Sequence, residues 1–181
     1  MHALRIGALL ALCSALVGCA YVLPAYEASY DNVRSAKQGG ARLRVDQVTL
    51  AKGVKDPVLR AWTFRSPVGK DHAALLAAAL RDELGRAGRL DDAAPLVLTA
   101  VVLHNDIDEK AGVATATLEV EFVLRDASGE RYRKRITATH SWTSPFIGAI
   151  ASGNALASYP AVVGKLTGLL FADPEFRAAS A

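Results

Sequence analysis

Three histidines lie beyond the first twenty residues: His72, His104 and His140. A shared metal site would need two of them at helical or cross-strand spacing, with a carboxylate nearby. His72 falls in the first turn of a helical segment and is expected to be exposed. His104 closes an apolar strand, and His140 lies on the apolar phase of another. They read as separate structural histidines, and no metal or other cofactor is expected. Asn105 to Lys110 opens like a calcium loop, but Lys110 and Ala111 stand where a ligand and a glycine belong. Thr117 replaces the closing Glu, so the run reads as an acidic connection between strands. Ser141 beside His140 would point to the opposite face of a strand. No G-x-S-x-G elbow is present, and Gly148 to Gly153 lacks the Lys and Ser/Thr of a phosphate loop. The sequence therefore offers no catalytic constellation, and the chain is not expected to be an enzyme.

Two further groups of residues have the chemistry of contact. Arg131, Arg133 and Arg135 alternate onto one face of a strand. They could meet anionic headgroups, lipopolysaccharide phosphates or an acidic partner, or be paired with Glu119 and Glu121. Trp142 precedes an apolar, glycine-bearing loop that holds Phe146, Ile147 and Ile150. Such a loop either contacts a partner or membrane or folds back over the sheet. Gly164 and Gly168 form a G-x-x-x-G, outside any apolar 20-mer, and read as close packing of a helix on the sheet.

The two cysteines, Cys13 and Cys19, both lie in the first twenty residues, so the rest of the chain can form no disulfide. Arg5 followed by the apolar run Ile6 to Val17 has the parts of an export signal, too short for a bilayer span of about 20 residues. Leu16-Val17-Gly18-Cys19 at its end resembles the lipobox of bacterial lipoprotein precursors. Leu12 before Cys13 stands where a small residue is wanted. The resemblance implies cleavage before Cys19, a diacylglycerol thioether on its sulfur and an amide-linked acyl chain such as palmitate. Each buried methylene contributes about 0.8 kcal/mol, and two or more chains make a lasting anchor. Ala20 follows where an Asp would favour inner-membrane retention, so the periplasmic side of the outer membrane is the expected location.

The rest of the chain must position these groups. Its 181 residues suit one compact domain behind a leader. A hydrophobic content of 51% and a charged content of 22% describe a globular chain. The net charge of +3, with no long basic block, gives no reason to invoke nucleic acid. Residues 1–18 read as the signal peptide, 19–40 as the lipidated N-terminus and tether, and 41–181 as a single periplasmic α/β domain. A short helix within 26–37 fits inside the tether.

Ala41 to Leu50 alternates as a half-buried strand whose phase slips near Gln47, which predicts a bulge. A loop follows through Lys52 to Gly69, with Trp62 and Phe64 unplaced inside it. Asp71 to Ala87 is a helix with Asp71 as cap, Leu76, Leu80 and Leu84 on one face and Gly88 at its end. Pro95 to His104 is a nearly all-apolar, central strand. Val113 to Asp126 alternates cleanly. A three-residue loop Ala127-Ser128-Gly129 would set Asp126 opposite Glu130, Leu124 by Tyr132, Val120 by Ile136 and Glu121 by Arg135. Pro160 is expected to open the last helix, and Asp173-Pro174 to end it. The order β-α-β-β-β-α predicts an α+β two-layer sandwich: a mixed, mostly antiparallel sheet with two helices on one face.

With a lipobox, a tether and this order of elements, the chain resembles the small envelope lipoproteins of Gram-negative bacteria. Among these it resembles the auxiliary lipoproteins of ABC-type lipid transport systems and the lipopolysaccharide-assembly lipoprotein. The resemblance implies a non-catalytic binding or assembly partner of an envelope transport system, attached to the membrane through Cys19. A lipid-anchored hydrolase and a purely structural surface lipoprotein are the alternatives.

Overall fold

The computed structural model describes residues 20–181. The expected leader, Leu16, Val17, Gly18 and the acylation site Cys19 lie outside the described residues. In chain order the elements are β1 (Ala20–Val22), α1 (Tyr30–Lys37), β2 (Arg44–Leu50), β3 (Val58–Leu59), β4 (Trp62–Arg65) and α2 (His72–Arg86). Then come β5 (Val97–Lys110), β6 (Val113–Asp126), β7 (Gly129–Thr143), α3 (Gly148–Ala172) and α4 (Pro174–Ala179).

Four strands form the main sheet in the order β2-β5-β6-β7. β2 runs parallel to β5, and the other pairs are antiparallel. The inward side chains of β6, from Ala114 through Leu124, are buried; α3 packs over β6 and β7 and α2 over β2. This is the α+β two-layer sandwich the alternation predicts. The bulge in β2 falls between Val45 and Val48, where the apolar phase slips. Asp71 caps α2, its carboxylate accepting from the Ala74 N–H at 3.1 Å, and Leu76, Leu80 and Leu84 are buried.

The β6–β7 register has Leu124 opposite Tyr132, Val120 opposite Ile136 and Glu121 opposite Arg135. The turn itself differs from the expectation. Asp126 faces Gly129, not Glu130, and the ladder shifts by one residue between Leu124 and Arg125. A two-residue loop plus a bulge at Arg131 gives the same register as the expected three-residue loop, so alternation alone could not separate them.

Four other expectations are corrected. β5 continues through the acidic run to Lys110, because a bulge between Val102 and His104 moves the inward phase from even to odd positions. Asn105 and Ile107 then face the core and Asp106 and Asp108 face water. Trp62 and Phe64 belong to a second, three-stranded sheet in the order β1-β4-β3. Its strands are two to four residues long, too short to display a period. The described part of the segment expected as a tether is packed on the domain. β1 pairs with β4, Leu23 is buried, and α1 lies against α3. Finally, α3 begins at Gly148, and Pro160 lies inside it rather than at its start. An interior proline forfeits one backbone bond and crowds the preceding turn. Burial of Ala151, Ala155 and Tyr159 before it, and of Val162, Val163 and Leu166 after it, carries the helix through.

By length and composition α3 could cross a membrane. Ten of its side chains are nonetheless buried, and it packs on β7 and β6 as a core helix. Contrary to expectation, the glycines of the G-x-x-x-G do not face the sheet but the segment around Tyr26 and Asn32 on the other side of α3. A Cβ on Gly168 would stand 2.6 Å from Asn32 Oδ1, and one on Gly164 3.3 Å from the Tyr26 hydroxyl. They let α1 and the segment before it sit directly on α3.

Candidate functional site

Two buried polar clusters hold the elements together. In the first, His72 is 3% exposed, contrary to the expectation that the first turn of its helix faces water. The second sheet covers that turn: His72 Nε2 lies 2.8 Å from the Phe64 carbonyl of β4. A carbonyl can only accept, so Nε2 carries the proton and Nδ1 is an acceptor. Nδ1 faces the Asn105 amide at 3.1 Å and the Tyr159 hydroxyl at 2.9 Å, while that hydroxyl donates to Asn105 Oδ1 at 2.5 Å. Burial holds the His72 pKa below its ordinary value, against the opposing pull of Asp56, whose Oδ1 is 3.8 Å away. One imidazole thus clasps β4, α2, β5 and α3, with both ring nitrogens engaged inside the protein.

The second cluster centres on Glu83 of α2, which is fully buried. Its Oε1 accepts from the Tyr26 hydroxyl at 2.5 Å and the Asn32 amide at 2.8 Å. Asn32 also donates to the Gly164 carbonyl at 2.7 Å. Glu83 Oε2 has no hydrogen-bond partner among the described residues. Burial raises the carboxyl's pKa, and the hydrogen bonds from Tyr26 and Asn32 only partly oppose it. Above this cluster runs an open groove of about 920 Å³, with Pro24, Tyr26 and Asn32 on one wall and Thr139, Pro160 and Lys165 on the other. Lys165 donates to the Thr139 carbonyl at 3.2 Å, which occupies part of the free edge of β7.

The residues singled out in the sequence for contact divide between the two ends of β7. At its start the arginines are paired. Arg131 meets Asp126 at 2.8 Å, Arg133 meets Glu121 at 2.7 Å and Glu130 at 2.6 Å, and Arg135 meets Glu121 at 3.4 Å. Hydrogen bonds from Ser128 and Arg131 draw the Asp126 pKa down to about 2. This is a charged face that satisfies itself in water.

The far end of β7 is apolar. Phe146 is 98% exposed, Ile147 60% and Ile150 49%, and Val113 at the β5–β6 turn is 45% exposed. Trp142 does not join them. Its ring lies on the inward face against the core, half-buried, with no acceptor for Nε1 among the described residues. The eleven residues from Arg133 to Thr143 span roughly 33 Å of extended chain, so arginines and aromatic loop cannot form one site.

The exposed loop is nevertheless fixed. Arg60, in the β3–β4 turn with a left-handed φ of 57°, donates to the Pro145 carbonyl at 2.8 Å and the Phe146 carbonyl at 3.0 Å. The same guanidinium grips Glu109 at 2.7 and 2.9 Å. Glu109 in turn accepts from Ser144, and these bonds, Arg60 foremost, hold its carboxyl below the usual range. The Ser144 N–H donates to the Gly112 carbonyl at 2.7 Å, tying the loop to the β5–β6 turn.

The remaining histidines stay apart. His104 is exposed on β5, and His140 is half-buried on β7, its pKa lowered by burial and then by Lys165. Among the described residues no group of three His, Cys, Asp or Glu side chains could hold a metal ion. Ser141 Oγ lies 2.8 Å from Thr115 Oγ1 on the outer face, away from His140.

Sequence reasoning missed Arg60 and Glu83. Glu83 had a signal, since it stands three residues after Leu80 and seven after Leu76, on the buried stripe of its own helix. Arg60 had none, because its role depends on a turn between two very short strands.

No family model matches the chain, and no curated protein matches it. Among solved structures it is similar to a Xanthomonas campestris protein of the DUF330 family. The identity is 13%, the TM-score 0.61, and the match covers 88% of this chain and 96% of that one. It is also similar to a candidate lipoprotein from Caulobacter crescentus, at 17% identity and TM-score 0.47 over 77% of this chain and 92% of that one. A minor lipoprotein from Acinetobacter baumannii matches at 14% identity and TM-score 0.42, over 72% and 88%. The first likeness establishes a shared fold. The other two are too distant to carry an argument.

Proposed function

We propose that the chain is a lipid-anchored lipoprotein of the bacterial envelope, acylated on Cys19 and facing the periplasm from the outer membrane. Its role is that of a non-catalytic binding or assembly partner of an envelope transport system. The observation that carries the anchoring is Leu16-Val17-Gly18-Cys19, at the end of an apolar run and one residue before β1. Cleavage before Cys19 removes nothing from the described fold. A partner role fits a domain whose one buried histidine is committed at both ring nitrogens and whose other described histidines lie on separate strands.

Replacement of Cys19 by Ser, followed by cell fractionation, tests the anchor. The variant is expected to leave the membrane fraction, and unchanged association would count against the reading. Gentle crosslinking of the tagged native protein tests the role. Recovery of a specific envelope component is expected, and recovery of the protein alone would argue against a partner.

A further inference from the structure

We infer that the end of the molecule bearing Val113, Phe146, Ile147 and Ile150 is a membrane-docking tip that dips into the same lipid surface that holds Cys19. The inference rests on the anchoring reading above and adds an orientation to it.

Four observations converge on this end. The first is where the chain enters the described fold. Ala20 pairs with Thr63 in a parallel ladder, so the start of β1 lies beside the start of β4. β4 begins two residues after Arg60, the residue whose guanidinium grips the Pro145 and Phe146 carbonyls. The described chain therefore begins, at Ala20, on the side of the domain that bears the apolar loop, and acyl chains on the preceding residue would enter lipid there.

The second is the character of the surface. Val113 pairs with Thr143, three residues before Phe146, so the β5–β6 turn adds its valine to the same end. The nearly complete exposure of Phe146 makes this a projection, not a cleft. An apolar projection suits insertion between headgroups, where aromatic and aliphatic side chains are favoured.

The third is rigidity. Arg60, Glu109 and Ser144 hold the loop from beneath, and the guanidinium charge is matched by the Glu109 carboxylate within the protein. The support beneath the apolar side chains thus carries no unmatched charge toward the bilayer.

The fourth is the entry to α3. Ile147 occupies the N-cap and provides no side-chain acceptor for the first-turn N–H groups. Ser, Thr, Asp or Asn is the usual choice in water. An apolar residue there suits an environment of lipid headgroups, whose phosphates can accept those N–H groups.

Docked this way, the domain stands on its tip. The β6–β7 turn and its paired arginines point away from the membrane.

The mature chain has no cysteine besides Cys19, so a single introduced thiol can be labelled selectively. The lipidated protein is prepared as Ile147→Cys and, separately, as Ala127→Cys at the distal turn. Each is labelled with an environment-sensitive fluorophore and reconstituted in phosphatidylethanolamine–phosphatidylglycerol vesicles. Palmitate incorporation is scored on the same samples. The label at 147 is expected to shift to the blue, to lose iodide quenching severalfold relative to 127, and to be quenched by nitroxide-bearing lipid. Equal iodide access at both positions in acylated protein would overturn the tip while leaving the anchor standing. Protection at 147 without quenching by nitroxide lipid would mean that another protein, such as a second copy, covers the loop, and would also overturn it. Absence of palmitate would overturn the anchoring reading and the tip together.

Discussion

At one end of β7 every arginine of the outward stripe meets a carboxylate, while at the other end four large apolar side chains stand in water. The charged end is complete as it is, since exposed ion pairs in water neither demand a partner nor contribute much. The apolar end is unfinished. Covering a large apolar side chain is worth roughly 1.5–3 kcal/mol, and nothing within the described residues covers Phe146. The difference is what the proposed docking of the tip rests on. The three arginines that the sequence offers for contact are each paired with a carboxylate in the structure.

α3 joins the two ends, starting at Gly148 beside the tip and finishing near Asp173, which meets Lys134 at 2.9 Å and Tyr132 at 3.0 Å. Cutting its attachment midway should disturb both. Tyr159→Ala is expected to cost about 3–5 kcal/mol in urea unfolding, because it removes a buried ring and strands Asn105 and His72. A much smaller loss would mean that α3 is not the strut between the ends.

Gly168→Leu comes next, at roughly 1–3 kcal/mol. Its side chain must displace Asn32 and with it α1, which would show as faster hydrogen exchange across Tyr30–Lys37. Unaltered exchange there would separate the N-terminal segment from the packing of α3.

The third effect is on pH dependence. Burial makes folded His72 resist protonation, so below its ordinary value of 6.5 the unfolded chain takes up a proton that the folded chain refuses. Its contribution is whole above that value and is lost as pH falls through the folded one. The urea midpoint should therefore drop between about pH 7 and pH 5, less steeply in His72→Gln. Glu83 works in the opposite sense. Its raised value gives stability that is whole below 4.5 and fades as pH rises through the folded value. A His72→Gln variant whose midpoint changes over that acid interval just as the parent's does would contradict the His72 assignment.

The smallest effects sharpen the opening contrast most. Arg133→Ala and Phe146→Ser should both leave the urea midpoint unchanged, as surface substitutions do. In vesicles carrying the anchored protein, Phe146→Ser should reduce quenching by nitroxide lipid at a label on residue 147, and Arg133→Ala should not. Equal losses from the two variants would erase the distinction between the ends.

Much of the main sheet was legible because its strands are long enough to display a period. The phase slip at Gln47, the alternation of β6 and the β6–β7 register all follow from which residues must face the core. Three features were hidden. β1, β3 and β4 have too few residues for a pattern, and so the burial of His72 beneath them was hidden too. The first half of α3 is rich in alanine and glycine, which show little amphipathic contrast, and Pro160 reads as a boundary although packing overrides it. The Leu103 bulge that turns the acidic run into strand leaves no mark in composition. Of the candidate contacts, Phe146 and Ile147 are exposed where the sequence raised them, and Trp142 is turned inward.

The anchoring chemistry is tested most directly by the intact mass of the protein extracted from its own membranes. The account predicts a chain that begins at Cys19 and is heavier than that peptide by a diacylglyceryl group and an amide-linked acyl chain. A free thiol at Cys19, or a chain that still carries Met1 to Gly18, would contradict it.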